Sequence, residues 1–379
     1  MAGLALIAVC YGLARFAYGL FVPELREEFD LSSATAGAIA SSSYVGYCVA
    51  IVVATIATAR WGAHVVAVTA GVFAAAGTGL IAVAPGAGVL AVGVVVAGSS
   101  SGLASPPLAD AVARWVAADR ADRIQTVVNS GTGIGVMVSG PVALLADQSW
   151  RVAWFAFAVC AVAVTIWIGV VIPRSRRETA ADLAETLLPE RRLPPGAVRL
   201  LAAAAVMGVG SSAVWTFGRD VVVSHGVSAT ISTVMWIVLG GAGILGGLAG
   251  DLAGRAGLAR AWVAAMTALA VATAGFALWP GLHAVVFLAA AVFGSVYIVL
   301  TGLLLLWGTR VYPDRPVFGV GAAFLLIAIG QALGAPLLGW LTDATTPTIA
   351  FVVAALVLAA GAALRPSWQR RSERAEGGT

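Results

Sequence analysis

Apolar runs long enough to cross a lipid bilayer recur along the entire chain, and this repetition constrains the fold more than any motif. A hydrocarbon core about 30 Å thick takes roughly 20 helical residues. Such runs are read at Ala2–Pro23, Ala34–Thr58, His64–Ala84, Val89–Ala113, Ile124–Ala146 and Trp150–Ile172. Six more follow at Val198–Val223, Ala229–Gly250, Ala261–Trp279, His283–Gly308, Val317–Leu341 and Thr346–Leu364. Unpaired backbone groups are costly in lipid, so each run is expected to be a helix. The expected fold class is therefore an all-α membrane protein of twelve transmembrane helices. Composition agrees: 60% of residues are hydrophobic and only 11% are charged, against about 25% charged in a soluble domain.

Loop charge sets the expected orientation. All 22 basic residues are arginine, and 18 fall in the even-numbered loops and the C-terminal tail. Only Arg26, Arg151 and Arg219 fall in odd-numbered loops, and Arg15 lies inside the first run. That asymmetry places both termini and the central linker in the cytoplasm of a cell whose inner membrane holds the chain. Scattered through loops, the arginines form no nucleic-acid patch. Trp61, Trp115, Trp150, Trp279 and Trp340 fall near run ends, as interfacial aromatics do. Arg15 and the missing basic leader make Ala2–Pro23 a retained helix rather than a signal peptide. The expected organisation is a six-helix unit at 1–172, a linker at 173–197, a second six-helix unit at 198–364 and a tail at 365–379.

Faint echoes relate the two units. Trp115 precedes Asp122-Arg123 by seven residues, and Trp307 precedes Asp314-Arg315 by the same interval. Leu31-Ser32 and Val227-Ser228 each offer a serine N-cap ahead of an apolar run. Gly140-Pro141 leads to Asp147 as Gly334-Ala335-Pro336 leads to Asp343. Together they favour a duplicated, pseudo-symmetric six-helix bundle.

These features resemble the Major Facilitator Superfamily. The stretch Gly247 to Arg255, with Asp251 and Gly254 inside it, resembles that superfamily's loop motif G-x-x-x-D-R/K-x-G-R/K. The first-half copy keeps Arg60 and Gly62 but has Ala59 where the aspartate belongs and Thr55 where the first glycine belongs. The resemblance implies a cytoplasmic gate built from Arg60, Gly62, Asp251, Gly254 and Arg255, stronger on the Asp251 side. Gly12, Arg15-Phe16-Ala17-Tyr18 and Pro23, followed by Ser43-Tyr44-Val45-Gly46-Tyr47, resemble the YbfB-like branch. Gly131, Gly135 and Gly140-Pro141 partly resemble the superfamily's antiporter glycine motif.

Arg15 is the sharpest single feature. Thirteen residues beyond Ala2, it lies roughly 20 Å into the membrane at 1.5 Å per residue. Burying a charge there costs at least about 2.5–3.5 kcal/mol, so it must face a wet cavity or a partner. Tyr11 and Tyr18, at i−4 and i+3, share its helical face. An anion-binding arginine walled by aromatics is one reading; an arginine locking the first helix to a neighbour is the other. Trp215 and Arg219, with Asp220 adjacent, occupy the two-fold mate of the first helix, and Arg219 is equally readable as an interfacial Arg–Asp pair. Asn129, Tyr297 and Gln331 are further candidates for the cavity, while Tyr44 and Tyr47 read equally well as packing residues.

No Asp or Glu lies deep in an expected helix, which weakens a simple proton relay and favours an anionic cargo that neutralises Arg15 itself. The expected function is secondary transport of a small organic anion or metabolite by alternating access around helices 1, 4, 7 and 10. The alternative is drug or xenobiotic efflux on the same fold. No nucleophile–base pair or metal-ligand spacing stands out, so neither an enzyme, a cofactor nor a metal is expected. The expected partners are the lipid bilayer and a small-molecule substrate, with a coupling ion left open, no nucleic acid, and a monomeric state.

Overall fold

The computed structural model describes residues 1–147, 149–174, 193–245 and 254–366. Among them every regular element is a helix. In chain order these are α1 (Ala2–Phe29), α2 (Ser33–Trp61), α3 (Ala63–Ala82) and α4 (Ala87–Trp115). Helix α5 comes in two pieces, Ala118–Asn129 and Gly131–Leu145, followed by α6 (Trp150–Val171). Then come α7 (Ala197–Ser224), α8 (Ala229–Gly243), α9 (Leu258–Leu278), α10 (His283–Val311), α11 (Pro316–Ala344) and α12 (Pro347–Gly361). Ten are long and apolar enough to cross a membrane, and α8 and α12 are shorter apolar helices of 15 residues. The last five residues of the expected run to Gly250, most of the expected linker and most of the expected tail lie outside the described residues.

Three departures from the expected boundaries matter. Helix α1 does not stop at Pro23 but runs through it to Phe29, so Glu24, Arg26 and Glu28 are helical. A proline removes one backbone donor without obliging a membrane helix to end. The fifth span is broken at Ser130, whose hydroxyl bonds to the Val127 carbonyl at 2.7 Å. Within α1, Ala8–Phe16 adopts i→i+5 bonding, a π-helix, and the Ala17 N–H reaches back to the Gly12 carbonyl. Such wide turns are rare and collect at functional sites.

The repeat is visible in the packing. Ser32 caps α2 by accepting from the Thr35 N–H at 3.1 Å, and Ser228 caps α8 by accepting from the Ile231 N–H at 3.3 Å. Gly12 on α1 lies against the Gly135 backbone on α5; in the second half Gly208 on α7 lies against Ile327 and Gly330 on α11. A Cβ at Gly12 or Gly208 would collide with the neighbouring backbone, so small residues set the helix spacing here. The halves meet through α2 with α11, α5 with α8, and α1 with α7. The first two are equivalent under exchange of the halves.

Helix α1 is the most enclosed span and α6 the least. Trp61, Trp115, Trp279 and Trp340 are exposed at helix ends, as expected. Trp150 is not: it is buried, its indole N–H donating to Glu28 Oε2 at 2.5 Å. The proximal end of the bundle carries Ala2 and Gly361, and the distal end is opposite.

Candidate functional site

The π-helical stretch of α1 decides which side chains surround Arg15. In i→i+5 bonding, residues four and five apart share a face, which gathers Tyr11, Arg15 and Phe16. The Arg15 guanidinium carbon sits 5.7 Å from the Tyr11 ring centre and 5.2 Å from that of Phe16. Helix α2 adds Tyr47 at 4.3 Å and Tyr44 at 4.9 Å. Four ring faces therefore stand where lipid or carboxylate would otherwise be, each attracting the cation through its quadrupole. Tyr11 is itself fixed by a 2.7 Å hydrogen bond between its hydroxyl and that of Ser105 on α4.

The other half supplies the polar contact. Arg15 Nη2 donates to Gln331 Oε1 on α11 at 3.2 Å, and Gln331 Nε2 donates to the Tyr297 hydroxyl on α10 at 3.2 Å. Trp215 on α7 lies against Phe16, ring centres 4.2 Å apart, and packs edge-on to Trp236, Phe293 and Tyr297. Arg15 is 7% exposed, and among the described residues it has no ion pair. Beside it lies a cavity of about 10 Å³ between α1, α2 and α7, room for about one water.

The structure thus brings together Arg15, Tyr11, Trp215, Tyr297 and Gln331 from the expected set, and adds Tyr44, Tyr47 and Phe16. Tyr18 lines the cavity with its ring, but its hydroxyl donates to the Ala36 carbonyl on α2 at 3.0 Å. Asn129 does not join the cluster: it is exposed and accepts from Gln125, one turn earlier, at 3.0 Å.

Arg219 is placed differently from expectation. It is 1% exposed rather than interfacial, and its partner is Glu24 rather than Asp220. Its Nη1 lies 2.5 Å from Glu24 Oε1 and 2.6 Å from Oε2, and Nε donates to Ser232 at 3.1 Å. Asp220 pairs instead with Arg26 at 2.5 Å. Two ion pairs therefore join α1 to α7 at the distal end. Glu24 is helical because α1 continues past Pro23, but it lies at the distal end rather than deep in the span. Nearby, Asp343 at the distal end of α11 accepts from the Ser33 and Ala34 backbone N–H groups of α2 at 2.9 and 2.7 Å. Its carboxylate caps a helix belonging to the other half. The Ser41 hydroxyl adds a bond to the Ala332 carbonyl at 2.6 Å.

Of the expected gate, Arg60 is exposed at the proximal end of α2 and Gly62 links α2 to α3 with φ of 86°. Gly254 and Arg255 are exposed, and Asp251 lies outside the described residues. The cross-half contacts described here lie at the distal end. Arg219, Asp220 and Asp343 had drawn notice in the sequence, Arg219 among other readings as an outer gate, but Glu24 and Arg26 as their partners had not.

Two sets of six apolar helices meeting around a buried, polar, mid-membrane cluster define a multi-pass membrane transporter of the Major Facilitator type, not an enzyme. The same fold is seen in a nucleoside transporter, NupG (D323A mutant), with a TM-score of 0.76 at 13% identity, covering 96% of this chain and 99% of that one. A bacterial homolog of the human lysosomal transporter Spinster, inward-facing and occupied, aligns with a TM-score of 0.73 at 14% identity, covering 96% and 94%. Its unoccupied form gives 0.70 at 14%, covering 96% and 93%. At such identities the likeness is one of fold. No protein of curated function matches the sequence. The chain belongs to the family described as "Uncharacterised MFS-type transporter YbfB", whose model matches residues 7–365.

Proposed function

We propose that this transporter is a secondary carrier of a small organic anion, with Arg15 as the cation that binds it. The observation that carries this reading is a guanidinium buried at mid-membrane among four aromatic rings and one amide, with no ion pair among the described residues. A charge in that position demands compensation, and a cargo carboxylate or similar group supplies it. Gln331 and Tyr297 lie on the opposite half, so a cargo held at Arg15 is felt by both halves, as alternating access requires.

The arginine bias of the loops supports cytoplasmic termini in an inner membrane. The distal end is then external, and Glu24–Arg219, Arg26–Asp220 and the Asp343 cap hold it together. In this closed state the cavity beside Arg15 has room for no cargo of either kind, and the buried guanidinium is what favours an anion over a bulky apolar compound. The carrier is proposed to act as a monomer.

The test is thermal stabilisation of the purified protein across a library of small organic anions and neutral metabolites, since a ligand of the folded state raises its melting point. Stabilisation by anions, lost in Arg15→Ala that still inserts and purifies as a single species, is expected. Anion binding or uptake that survives Arg15→Ala would overturn the reading.

A further inference from the structure

Four buried polar atoms belong to residues lining one small cavity, and none has a hydrogen-bond partner: Arg15 Nε, Ser43 Oγ, Trp215 Nε1 and Thr216 Oγ1. The residues are 7%, 3%, 4% and 1% exposed. Thr216 approaches the Tyr44 hydroxyl but makes no bond of acceptable geometry with it. An unpaired buried donor costs about 1–3 kcal/mol, more when charged. Four on the lining of one space point to a ligand that pairs with them together.

The chemistry of the four narrows the ligand. Arg15 Nε and Trp215 Nε1 only donate, and both hydroxyls can donate. No carboxylate lines the cavity, and the guanidinium brings a full positive charge. A lone water would satisfy the hydrogen bonds but leave that charge uncompensated. With α1, α2 and α7 closed together, the space between them admits one small particle, whereas a cargo-sized anion needs the helices to part first. We propose that the cavity between α1, α2 and α7 is a monatomic-anion site of the chloride class.

The site has a direction built into it. Arg15 and Ser43 come from the first half, and Trp215 and Thr216 from the second. The donor set is complete only while Phe16 and Trp215 are in contact between α1 and α7. A bound chloride therefore favours the distally sealed state, since a ligand shifts an equilibrium by its differential affinity for the two states. It occupies the Nε edge of Arg15, while Nη2 stays with Gln331. This inference rests on reading Arg15 as a charge reserved for anions.

The experiment is thermal melting of the purified full-length protein in sodium chloride, sodium bromide or sodium methanesulfonate at equal ionic strength, without cargo. Chloride and bromide are expected to raise the midpoint saturably. Trp215→Phe keeps a ring and removes the N–H; Ser43→Ala removes the hydroxyl. Each is expected to weaken apparent chloride affinity roughly tenfold or more, because a hydrogen bond to a charged partner is lost. Crystals grown in bromide are expected to show an anomalous peak in the cavity, which decides the matter if either variant fails to purify. Equal midpoints in all three salts, or a halide response unchanged in both variants, would overturn the site. A carboxylate panel from acetate to benzoate, run in methanesulfonate, separates the two ideas. Carboxylate stabilisation without a halide response removes the ion site alone, and absence of both removes the Arg15 reading with it.

Discussion

Arg219 and Glu24 form a buried ion pair between the two halves, with Nη1 2.5 Å from Oε1 and the arginine 1% exposed. The second arginine contact is as telling: Nη1 also donates to the Leu20 carbonyl of α1 at 2.5 Å. One guanidinium thus ties α7 to both a side chain and the backbone of α1.

Removing Glu24 while keeping Arg219 should unlatch the distal end. An uncompensated buried charge typically costs about 3–5 kcal/mol. Glu24→Ala is expected to lower the melting point and to make a cysteine placed at Ser33 reactive toward an impermeant thiol reagent added from the distal side. The charge-swapped pair Glu24→Arg with Arg219→Glu should restore part of the protection. Protection unaltered in Glu24→Ala would show that this pair does not hold the seal.

Asp343→Ala should act on the same end through a different bond. It strips two backbone N–H groups of α2 of their acceptor, and losing a cap costs roughly 0.5–2 kcal/mol. A smaller fall in melting point than for Glu24→Ala is expected. Asp343→Asn should lie between wild type and Asp343→Ala, since the amide oxygen still accepts.

Gln331→Glu offers the sharpest test of the central charge. A carboxylate 3.2 Å from Arg15 Nη2 would neutralise the guanidinium within the protein. Anion binding should fall by at least an order of magnitude while the melting point holds or rises. Retained anion binding in this variant would contradict the role given to Arg15.

Tyr47→Phe and Tyr47→Ala should part company. The ring centre lies 4.3 Å from the guanidinium carbon, and a desolvated cation–π contact is worth about 2 kcal/mol. Phenylalanine preserves the face and should preserve the melting point closely. Alanine should lower it and leave a cavity as well.

Much of this was legible in the chain. Twelve apolar runs set the fold, and Arg15 stood out because charge is rare at that depth. Gln331 and Tyr297 were visible as polar residues in apolar helices, and Ser32 and Ser228 as caps. What escaped has physical reasons. Pro23 was read as an end, which hid Glu24 in a loop. Its partner lies 195 positions away, and a pairing at that separation leaves no local pattern. Tyr18 shares a cavity with Arg15 as its spacing suggested, but its hydroxyl is spent on the Ala36 carbonyl of α2, a partner that spacing along one helix does not reveal. Asp251 lies outside the described residues, so the motif-based gate stands as an expectation.

Helix α1 is continuous from Arg15 through Glu24 to Arg26, a separation of roughly 14–17 Å at 1.5 Å per residue. The residue proposed to hold an anion and those that pair across the far end are therefore mounted on a single rod. Any tilt that draws the bolts also swings the arginine relative to Gln331 on the other half, and any pull on the arginine is transmitted to the bolts. Cargo recognition and the closing of the door are two readings of one lever's position.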